Sequence, residues 1–594
     1  MQLPFWDDFS FNNSSYYAND TLWDYNTAVT ISTGMGVNPP TLKVATFDGI
    51  DSIGKPYSVT DAQAKGIADS LISRAIRMDL VDPSLRGNIN MTFFYQYDGN
   101  GEPPDKGDIL YLYFWDIEGF WKEVWHAEYD TTLSSDTFYQ ATVPINDDSL
   151  FHDHFRFKFQ NFGRLSGPYD TWHLDYVYIN NGKSQYAPVY ADMPDRAIAT
   201  PLTTLFGRYY SIPAAHFLES PDTAMSHPSI TLTNQRQDQR IGTSYNAGQP
   251  VSYNTNVQIN TRSNGVPAAT INIKLDSAQT IGNALEYGEH RVVQINKLPD
   301  FSLFDPASDS ISIRLDFELN SADNITKTPI KGDYDDIYKP INFRVNDFDT
   351  VNYILHDYYA YDDGIAEYGA GLNQAGTRLA YQFDMKTAQQ DTVVAVQLYF
   401  PHFADEADEI LELQVLRSLT GNNDTDVAAD QDITVTRTER NTFTTVTLVQ
   451  PVVVKDKFYV GWKQNTTAVI PVGFDKNNDN GDKIFFNLAG TWEQNTIEKG
   501  SLMIRPVFGH GIVTGIEKPK VHTIFPNPNQ GVFYAPASAQ AIQVYSITGA
   551  YTDFISEVVS NGTQIRLNNA APGLYLVRFF IDGAWETHKI IVQH

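Results

Sequence analysis

Short runs of alternating apolar and polar residues, separated by turns with proline and glycine, recur along this chain of 594 residues. The pattern is clear near the C-terminus, where Phe525-Pro-Asn-Pro528 cannot enter a helix. Each proline lacks an amide donor and pushes the preceding residue toward extended geometry. Apolar residues at strand-like spacing then alternate with turn signals such as Pro572-Gly573 and Asp582-Gly583. About seven short strands with such turns predict a small β-sandwich.

Four segments of this C-terminal region, at 524–533, 542–549, 572–578 and 589–594, resemble a known family. In that order and spacing they are similar to the type A C-terminal sorting domain of the type IX secretion system, which marks proteins exported across the outer membrane of Bacteroidota. The resemblance implies recognition by the type IX translocon and its outer-membrane shuttle barrel. In the family the domain is then cleaved and often exchanged for a lipopolysaccharide anchor. An ordinary Ig-like domain is the alternative.

Within the sorting domain, the residues expected to be recognised either fix turns or carry charge. Prolines and glycines set the turns, and the lysine is a lone positive charge on the terminal strand. The expected recognition residues are Pro526, Asn527, Pro528, Gly531, Gly573, Tyr575 and Lys589.

Composition restricts the partners and the chemistry of the chain. A net charge of −29 disfavours a nucleic-acid partner, since that binding requires a basic surface. The absence of cysteine excludes disulfides, thiol catalysis and cysteine-bound zinc. No segment approaches about 18 consecutive apolar residues, so we expect no span of a bilayer. The N-terminal Met1-Gln-Leu-Pro-Phe-Trp-Asp-Asp8 lacks the features of a signal peptide, so we expect the numbering to begin at the mature end of an exported protein.

Residues 1–184 form the most distinctive predicted unit. Its β-branched and aromatic residues alternate as in strands, and a single helix is expected at 61–73. The intervals between these strands predict a jelly-roll sandwich. Segments such as Phe5-Trp-Asp-Asp-Phe9 and Trp172-His-Leu-Asp-Tyr-Val177 are similar to the MAM-like or concanavalin-like jelly rolls of type IX cargo proteins.

The whole chain is predicted to be all-β, with tandem β-sandwiches (a jelly roll plus Ig-like domains) ending in the small Ig-like sorting domain. Prolines are expected to interrupt every element of one connecting segment. The predicted divisions are 1–184 for the jelly roll, 185–225 for the Pro-rich connecting segment, 226–351 for an Ig-like sandwich, 352–509 for a third sandwich, 510–520 for a linker and 521–594 for the sorting domain.

Carboxylates at both ends of the first unit suggest a metal site. The jelly-roll resemblance implies Ca²⁺ between the first and last strands, and Ca²⁺ takes six to eight oxygen ligands. Asp8 and Asp175 are the predicted ligands because each is embedded among aromatic residues, where an unpaired carboxylate is costly. In the alternative interpretation, each carboxylate accepts hydrogen bonds from backbone amides or pairs with an arginine.

Two further motifs favour a structural role over metal binding. His152 and His154 would share one face of a strand, but no third ligand is near, so hydrogen bonds to turn carbonyls are the preferred interpretation. Asp475, Asn477 and Asp479 match the first positions of a calcium loop. The sixth and twelfth positions of that loop lack the diagnostic Gly and Glu, so a solvated loop is expected instead.

Catalysis is not expected. Asp116 and Glu118 are the nearest approach to a glycosidase pair, but the third acid that β-glucanase jelly rolls carry on one strand face is absent. No G-x-S-x-G elbow and no plausible Ser–His–Asp set appears. A secreted carbohydrate-active enzyme is nevertheless kept as an alternative.

Aromatic residues indicate a binding surface. Sugar rings stack on exposed aromatic side chains, so Trp121, Trp125 and Tyr129 are predicted to form a glycan platform. The alternative is that these side chains fill the sandwich core. Six of the nine tryptophans lie in the first third of the chain, at positions 6, 23, 115, 121, 125 and 172.

These features predict a protein that is secreted or held on the outer face of the outer membrane. Its role would be binding or structural, as an adhesin or glycan-binding protein. An accessory component of the gliding or secretion apparatus, bound to outer-membrane proteins, is the alternative. The expected partners are the translocon with its shuttle barrel, and a glycan or surface protein. Ca²⁺ is a possible cofactor.

Overall fold

A computed structural model describes residues 1–10, 16–24, 28–181, 195–235, 251–321, 323, 325–326, 341–402, 409–509, 524–547, 550–559, 562–568, 570–581 and 584–593. The chain forms two compact units, Met1–His510 and Gly511–His594. Antiparallel strands make up nearly all of the regular structure in both units. The chain is therefore all-β with tandem sandwiches, as its alternating pattern predicts. The predicted linker at 510–520 and the predicted turn at 582–583 lie outside the described residues.

The first sandwich contains two antiparallel sheets. Its strands are β1 (Phe5–Asp7), β2 (Thr30–Ser32), β3 (Val44–Phe47), β4 (Lys65–Ile72), β5 (Ile89–Tyr97), β6 (Ile109–Trp115), β7 (Trp121–Glu128), β8 (Tyr139–Pro144), β9 (Phe157–Arg164) and β10 (Trp172–Asn181). One sheet has the order β2-β3-β10-β5-β8, with β1 also paired to β10, and the other has the order β4-β9-β6-β7. The sheets share one core, in which the rings of Phe93 and Phe159 lie 4.9 Å apart.

The helix predicted at 61–73 is wrong. Residues Lys65–Ile72 form strand β4, which pairs antiparallel with β9. Along β4, Ser70 faces Gln160 and Leu71 faces Phe159, and Leu71 is fully buried. Pairing with a neighbouring strand and burial of alternate residues therefore outweigh the helical propensity of this segment.

A second group of strands follows. They are β11 (Arg196–Thr200), β12 (Ser229–Asn234), β13 (Ser252–Ser263), β14 (Val266–Thr280), β15 (His290–Gln294), β16 (Ser310–Asn320), β17 (Ile325–Thr326), β18 (Ile341–Asn342) and β19 (Phe348–Leu355). They form sheets of order β11-β12-β15 and β14-β13-β16-β19, and β17 pairs with β18.

A third group of strands completes the first unit. They are β20 (Tyr368–Ala370), β21 (Arg378–Asp384), β22 (Asp391–Leu398), β23 (Ile410–Leu416), β24 (Val427–Thr434), β25 (Thr444–Val454), β26 (Lys457–Gln464), β27 (Val472–Asp475), β28 (Ile484–Asn487), β29 (Glu493–Gln494), β30 (Ser501–Leu502) and β31 (Ile504–Phe508). The sheet orders are β24-β23-β26-β21-β28-β29, β25-β22-β31 and β20-β27-β30.

One continuous hydrophobic core runs through the second and third groups of strands. Tyr209 stacks on Tyr361 with ring centroids 4.2 Å apart, and their hydroxyl groups are 2.7 Å apart. The expectation that prolines interrupt every element of 185–225 is wrong, because β11 and two short helices lie there. Pro213 caps the first helix and Pro221 begins the second, where a missing amide donor costs nothing. The helices are α1 (Ala214–Glu219), α2 (Pro221–Ala224) and, further along, α3 (Asn423–Asp426).

The second unit is a small sandwich of two three-stranded sheets. Its strands are β32 (Val532–Ala535), β33 (Gln540–Ser546), β34 (Phe554–Val559), β35 (Gly562–Leu567), β36 (Gly573–Ile581) and β37 (Ala584–Val592). The sheet orders are β32-β35-β34 and β33-β36-β37. Both sheets bury apolar residues in one core, which includes Phe533, Val544, Ile565 and Val577.

Gly461→Ala is expected to destabilise the first unit. Gly461 lies on the central strand β26, and a Cβ atom there would lie 1.9 Å from the carbonyl oxygen of Leu379 on β21. Relieving this clash must shift a paired backbone, at a cost of about 2 kcal/mol and a fall in Tm of about 2 °C for a unit of this size. Gly66→Ala is the control, because its Cβ would meet the flexible Leu165 side chain at 3.2 Å. Equal Tm values for the two variants would contradict the expectation.

Candidate functional site

The sheet β4-β9-β6-β7 carries a row of half-buried aromatic side chains on its outer face. Along β6, fully buried residues alternate with Tyr111, Tyr113 and Trp115, which therefore share the face turned away from the core. Trp121, the first residue of β7, pairs with Trp115 and lies on the same face. These four residues are called the aromatic face below.

The rings of the aromatic face form two pairs, and one lysine contacts a ring of each pair. The centroids of Tyr111 and Tyr113 are 5.6 Å apart, and those of Trp115 and Trp121 are 5.0 Å apart. Lys158, on β9, places its Nζ 4.6 Å from the Tyr113 centroid and 5.1 Å from the Trp121 centroid. Partial burial against these rings lowers the pKa of Lys158 below its ordinary value.

Polar side chains flank these rings. Lys158 donates to the Gln160 Oε1 at 3.0 Å, and the Gln160 Nε2 donates to the Ser70 Oγ at 2.7 Å. On the other side, the His126 ring lies 2.8 Å from the Glu123 carboxylate. Flat apolar rings beside hydrogen-bonding groups can hold a sugar by stacking and by polar contacts together.

Trp125 and Tyr129 do not join the aromatic face, which corrects the predicted platform. The Trp125 ring packs 4.9 Å from Phe93 and belongs to the periphery of the core. Tyr129 packs edge-on against Tyr97, with centroids 5.2 Å apart, and also lies at the core. Of the predicted platform residues, the structure places only Trp121 on the outer face.

The candidate acids Asp116 and Glu118 lie in the turn between β6 and β7. The Asp116 carboxylate accepts a hydrogen bond from the Phe120 amide at 2.8 Å and lies 3.1 Å from the Lys122 Nζ. The hydrogen bond from the Phe120 amide, and after it the contact with Lys122, holds the pKa of Asp116 below its ordinary value. Glu118 is exposed. A carboxylate held ionised within its own turn is poorly suited to donate a proton in catalysis.

His152 and His154 lie in a turn before β9, and not on a strand as a shared zinc-binding face would require. The His152 Nε2 lies 3.1 Å from the carbonyl oxygen of Trp115, and its Nδ1 accepts a hydrogen bond from the His154 amide at 3.3 Å. The His154 ring contacts Asp153 at 2.6 Å. These contacts match the preferred interpretation of hydrogen bonding in a turn, and they attach the end of β6 to the loop before β9.

The predicted metal ligands Asp8 and Asp175 lie beside each other and are both buried. The Asp175 carboxylate accepts hydrogen bonds from the Thr41 amide and hydroxyl, each at 2.9 Å. Asp8 accepts from the Ser10 amide at 3.1 Å. Burial is the main cause that raises the pKa of both carboxyl groups. The contacts fit the hydrogen-bonding alternative, and Ca²⁺ binding by this pair stays a prediction.

Asp8 also joins the first sandwich to the second group of strands. The Asn346 Nδ2 donates to Asp8 and to Asp195, each at 2.9 Å, across 338 positions of sequence in the case of Asp8. The neighbouring Asp347 accepts from the Ser321 hydroxyl at 2.5 Å. All of these side chains are buried. Sequence reasoning missed this carboxylate cluster because its members are brought together only by tertiary packing.

A cleft of about 760 Å³ lies between the first sandwich and the third group of strands. Its volume falls within the range of small-molecule sites, which is roughly 300–1,000 Å³. Apolar and aromatic residues dominate the walls, with Glu102, Glu367 and Lys476 among the charged groups. Burial raises the pKa of Glu367 to about 8, with the nearby Asp363 as the second cause.

The loop beside this cleft is more buried than the sequence indicates. Asp475 is fully buried and accepts hydrogen bonds from the Asp363 amide at 2.9 Å and the Asn477 amide at 2.7 Å. Asn480 is also buried and donates to the Ser501 Oγ at 2.9 Å. The expectation of a solvated loop is therefore wrong at these positions, because Asp475 ends strand β27 and Asn480 is bonded to Ser501 of strand β30.

In the second unit, Asn527 attaches the proline segment to the last strand. Its Nδ2 donates to the Lys589 carbonyl at 2.8 Å, and its Oδ1 accepts from the Ile591 amide at 2.8 Å. Asn527 thus satisfies two backbone groups on the outer edge of β37. Asn529 continues the attachment, since its amide donates to the Ile591 carbonyl at 2.9 Å.

The other predicted recognition residues have distinct surroundings. Gly531 has φ +83°, a conformation that favours glycine, and its amide donates to the Asn529 Oδ1 at 2.8 Å. Tyr575 is buried, with its hydroxyl donating to the Ala571 carbonyl at 2.9 Å. The exposed residues of the set are Pro526, Asn527, Pro528, Gly573 and Lys589.

Comparison with protein families identifies the second unit. Residues 523–593 match the family described as the secretion system C-terminal sorting domain. This match supports export as a type IX secretion substrate, an interaction with the type IX machinery and a secreted or cell-surface location. No curated protein matches the chain. Among the described residues, no helix has the length and apolar character needed to cross a bilayer.

Likeness to solved structures is weak. A β-glucuronidase from Parabacteroides merdae is 10% identical over 47% of this chain and 28% of its own, with a TM-score of 0.16. The BSP domain of a biofilm-associated protein is 11% identical over 91% of this chain and 95% of its own, with a TM-score of 0.14. Extracellular domains 3–5 of Drosophila OTK are 9% identical over 62% of this chain and 92% of their own, with a TM-score of 0.11. The chain spans about a quarter of the glucuronidase, and these likenesses carry no argument about function.

Asp347→Asn is expected to weaken the pH dependence of stability. Burial raises the pKa of Asp347 to about 8; the Ser321 hydroxyl and Arg344 oppose that shift, and Asp323 adds to it. Because an unfolded Asp titrates near about 4, the native state holds an extra proton between about pH 4 and 8. Its stability contribution is complete below about pH 4 and is lost as the pH rises through about 8.

The measurement is the difference in unfolding free energy between pH 6 and pH 8 for wild type and Asp347→Asn. Wild type should lose up to about 2 kcal/mol more than the variant over this interval, since each pKa unit corresponds to about 1.4 kcal/mol. Asp148→Asn is the control, because that side chain is 93% exposed. Parallel losses in wild type and Asp347→Asn would contradict the assignment.

Proposed function

We propose that this chain is a type IX secretion substrate whose first sandwich binds glycan chains at the cell surface or in the medium. The sorting domain would be of type A and the first sandwich a MAM-like jelly roll, with no catalytic role. The single observation that carries the glycan proposal is the aromatic face of Tyr111, Tyr113, Trp115 and Trp121, together with its polar border. The fold of the second unit and its family match support the route of export.

Several features of the aromatic face suit a glycan. The rings are half-buried, so binding would order few additional side-chain torsions. Two ring pairs, Tyr111–Tyr113 and Trp115–Trp121, offer apolar area for successive sugar residues. Gln160 and Glu123 lie at the borders, where hydroxyl groups of a sugar need partners.

Two other functions remain as alternatives. An accessory component of the gliding or secretion apparatus would use the same aromatic face to contact an outer-membrane protein. A carbohydrate-active enzyme would need a catalytic carboxylate, and the Asp116 carboxylate already accepts a hydrogen bond from the Phe120 amide in its own turn. Retention on polysaccharide, co-purification with outer-membrane proteins and turnover of a glycan substrate distinguish the three.

Lys589→Ala is expected to reduce export several-fold without lowering the Tm of the second unit. Lys589 is exposed on β37, so its side chain is accessible to the secretion machinery. The measurement is the amount of full-length protein in the medium or at the cell surface, relative to the periplasm, in a host with a type IX system. Asn527→Ala should lower both export and Tm, because two hydrogen bonds to β37 are lost, each contributing about 1 kcal/mol.

Tyr551→Ala is the matched control, since Tyr551 is a 61% exposed residue of the same unit outside the recognition set. Normal export of Lys589→Ala would remove this lysine from the recognition surface. Normal export of a chain that lacks residues 524–594 would contradict the proposed route altogether.

Trp121→Ala and Tyr113→Ala are each expected to weaken glycan binding about tenfold or more. Removal of an aromatic anchor from a binding surface typically costs more than 1 kcal/mol, and two such anchors flank Lys158 here. The measurement is a glycan array, followed by affinity electrophoresis of the full chain in gels that contain the retained polysaccharide.

Trp125→Phe is the control for this experiment. Trp125 lies on the same strand as Trp121 but faces the core, so the conservative change should leave glycan affinity unchanged. Wild-type affinity in both Trp121→Ala and Tyr113→Ala would contradict a glycan site at the aromatic face. Absence of wild-type binding across the array would favour a protein partner instead.

A further inference from the structure

Three carboxylates meet at one end of the sheet that carries the aromatic face. Asp108 directly precedes β6, Asp170 lies shortly before β10, and Asp105 lies in the loop before Asp108. One carboxylate oxygen from each lies within 4.8 Å of the others. Ca²⁺ binds oxygen at 2.3–2.6 Å, so ligands on opposite sides of one ion are about 5 Å apart. The three oxygens therefore fit around a single cation.

The cluster contains a buried carboxylate oxygen that the described residues leave without a hydrogen-bond partner. Asp108 and Asp170 are at most 1% exposed. The Asp170 Oδ2 accepts from the Arg164 amide at 2.6 Å, but its Oδ1 has no hydrogen-bond partner among the described residues. Burial, and after it repulsion from the Asp108 carboxylate, raises the pKa of Asp170, and a proton shared between these two carboxyl groups is the alternative to a bound cation. Leaving such an oxygen unpaired costs about 1–3 kcal/mol or more.

Lys65 already marks a cation position in this cluster. Its Nζ lies 2.9 Å from Asp108 and 3.2 Å from Asp105. The Lys65 side chain is 32% exposed and can withdraw into solvent. An ammonium group donates at most three hydrogen bonds, whereas a divalent ion can take an oxygen from every carboxylate of the cluster.

The charges around the cluster favour a divalent ion over Lys65 alone. Besides the three aspartates, Glu102 accepts a hydrogen bond from the Asp170 amide at 3.0 Å. The cations of the cluster are Lys65 and Arg164, whose NH2 lies 3.5 Å from Asp105. Four carboxylates thus face two cations. If Lys65 moved into solvent, the uncompensated negative charge of the cluster would increase.

We propose that Asp105, Asp108 and Asp170 bind Ca²⁺ in competition with the Lys65 ammonium group. The donors are carboxylate oxygens, which suit Ca²⁺ rather than metals that prefer imidazole or thiolate ligands, such as zinc or copper. Asp105 is 56% exposed, so water can reach the ion and complete its coordination. The bound ion would tie the loop before β6 to the loop after β9, and both loops also line the cleft through Glu102 and Tyr169.

The test is calorimetric titration of CaCl₂ into the full chain after removal of metal with EDTA and exhaustive dialysis, with Tm measured in parallel. One Ca²⁺ per chain should bind with a dissociation constant in the range of extracellular sites, roughly 0.1–1 mM. Asp170→Asn should abolish this binding and the accompanying rise in Tm. Lys65→Met should strengthen binding at least several-fold, because it removes the internal competitor. Asp148→Asn, a change at a 93% exposed carboxylate, should behave as wild type.

Each contrary outcome overturns the proposal. No heat and no Tm shift up to about 10 mM CaCl₂ would mean that Lys65 is the permanent counter-ion. A Lys65→Met protein that is less stable but does not bind Ca²⁺ more tightly would mean the same. Binding that survives Asp170→Asn would place the ion elsewhere, for example at Asp8 and Asp175. MgCl₂ at the same concentrations tests selectivity, and equal affinity for both ions would contradict a Ca²⁺ site.

Discussion

The antiparallel pairing of β6 with β9 and β7 is the constraint on which the candidate site depends. Strand pairing satisfies the backbone and sends successive side chains to opposite faces of the sheet. Leu110, Leu112 and Phe114 therefore enter the core, while the residues between them form the aromatic face. The same alternation stabilises the sandwich and presents its binding surface. A change of register by one residue would exchange the two sets and remove both.

A local irregularity in that pairing decides which tryptophans are accessible. Trp121 and Trp125 are four positions apart, so a regular strand would place them on one face. The register with β6 shifts between Leu112 and Tyr113, which leaves Val124 without a partner in the ladder. Trp121 consequently points outward and Trp125 inward. The alternation and the concentration of aromatic residues could be predicted from the sequence, but the bulge could not, because nothing in Lys122–Trp125 itself specifies a register shift with β6.

The predictable parts of the chain are those set by local pattern. Turn residues and alternation give the all-β class and the strands of the second unit, and motif order gives the sorting domain. The strand at Lys65–Ile72 could not be predicted from local pattern, because it forms by pairing with β9, which lies about 90 positions away in the sequence. The hydrogen bond from Asn346 to Asp8 spans 338 positions and could not be predicted from local pattern either. Local propensity is overridden wherever distant segments satisfy the backbone or the carboxylates.

Buried carboxylates in this acidic chain are compensated in three physically different ways. Asp362 is paired with the buried Arg505, so its charge is balanced within the protein. Asp347 has Arg344 at 3.6 Å but also faces Asp323, and it is compensated mainly by holding a proton. The Asp105, Asp108 and Asp170 cluster differs because one of its carboxylates, Asp105, is itself 56% exposed. Access to solvent is therefore what separates a site that can exchange a cation with its surroundings from one that can only protonate. In a chain without cysteine no disulfide can cross-link these loops, and an exchangeable cation would add a cross-link to the hydrogen bonds that already join them.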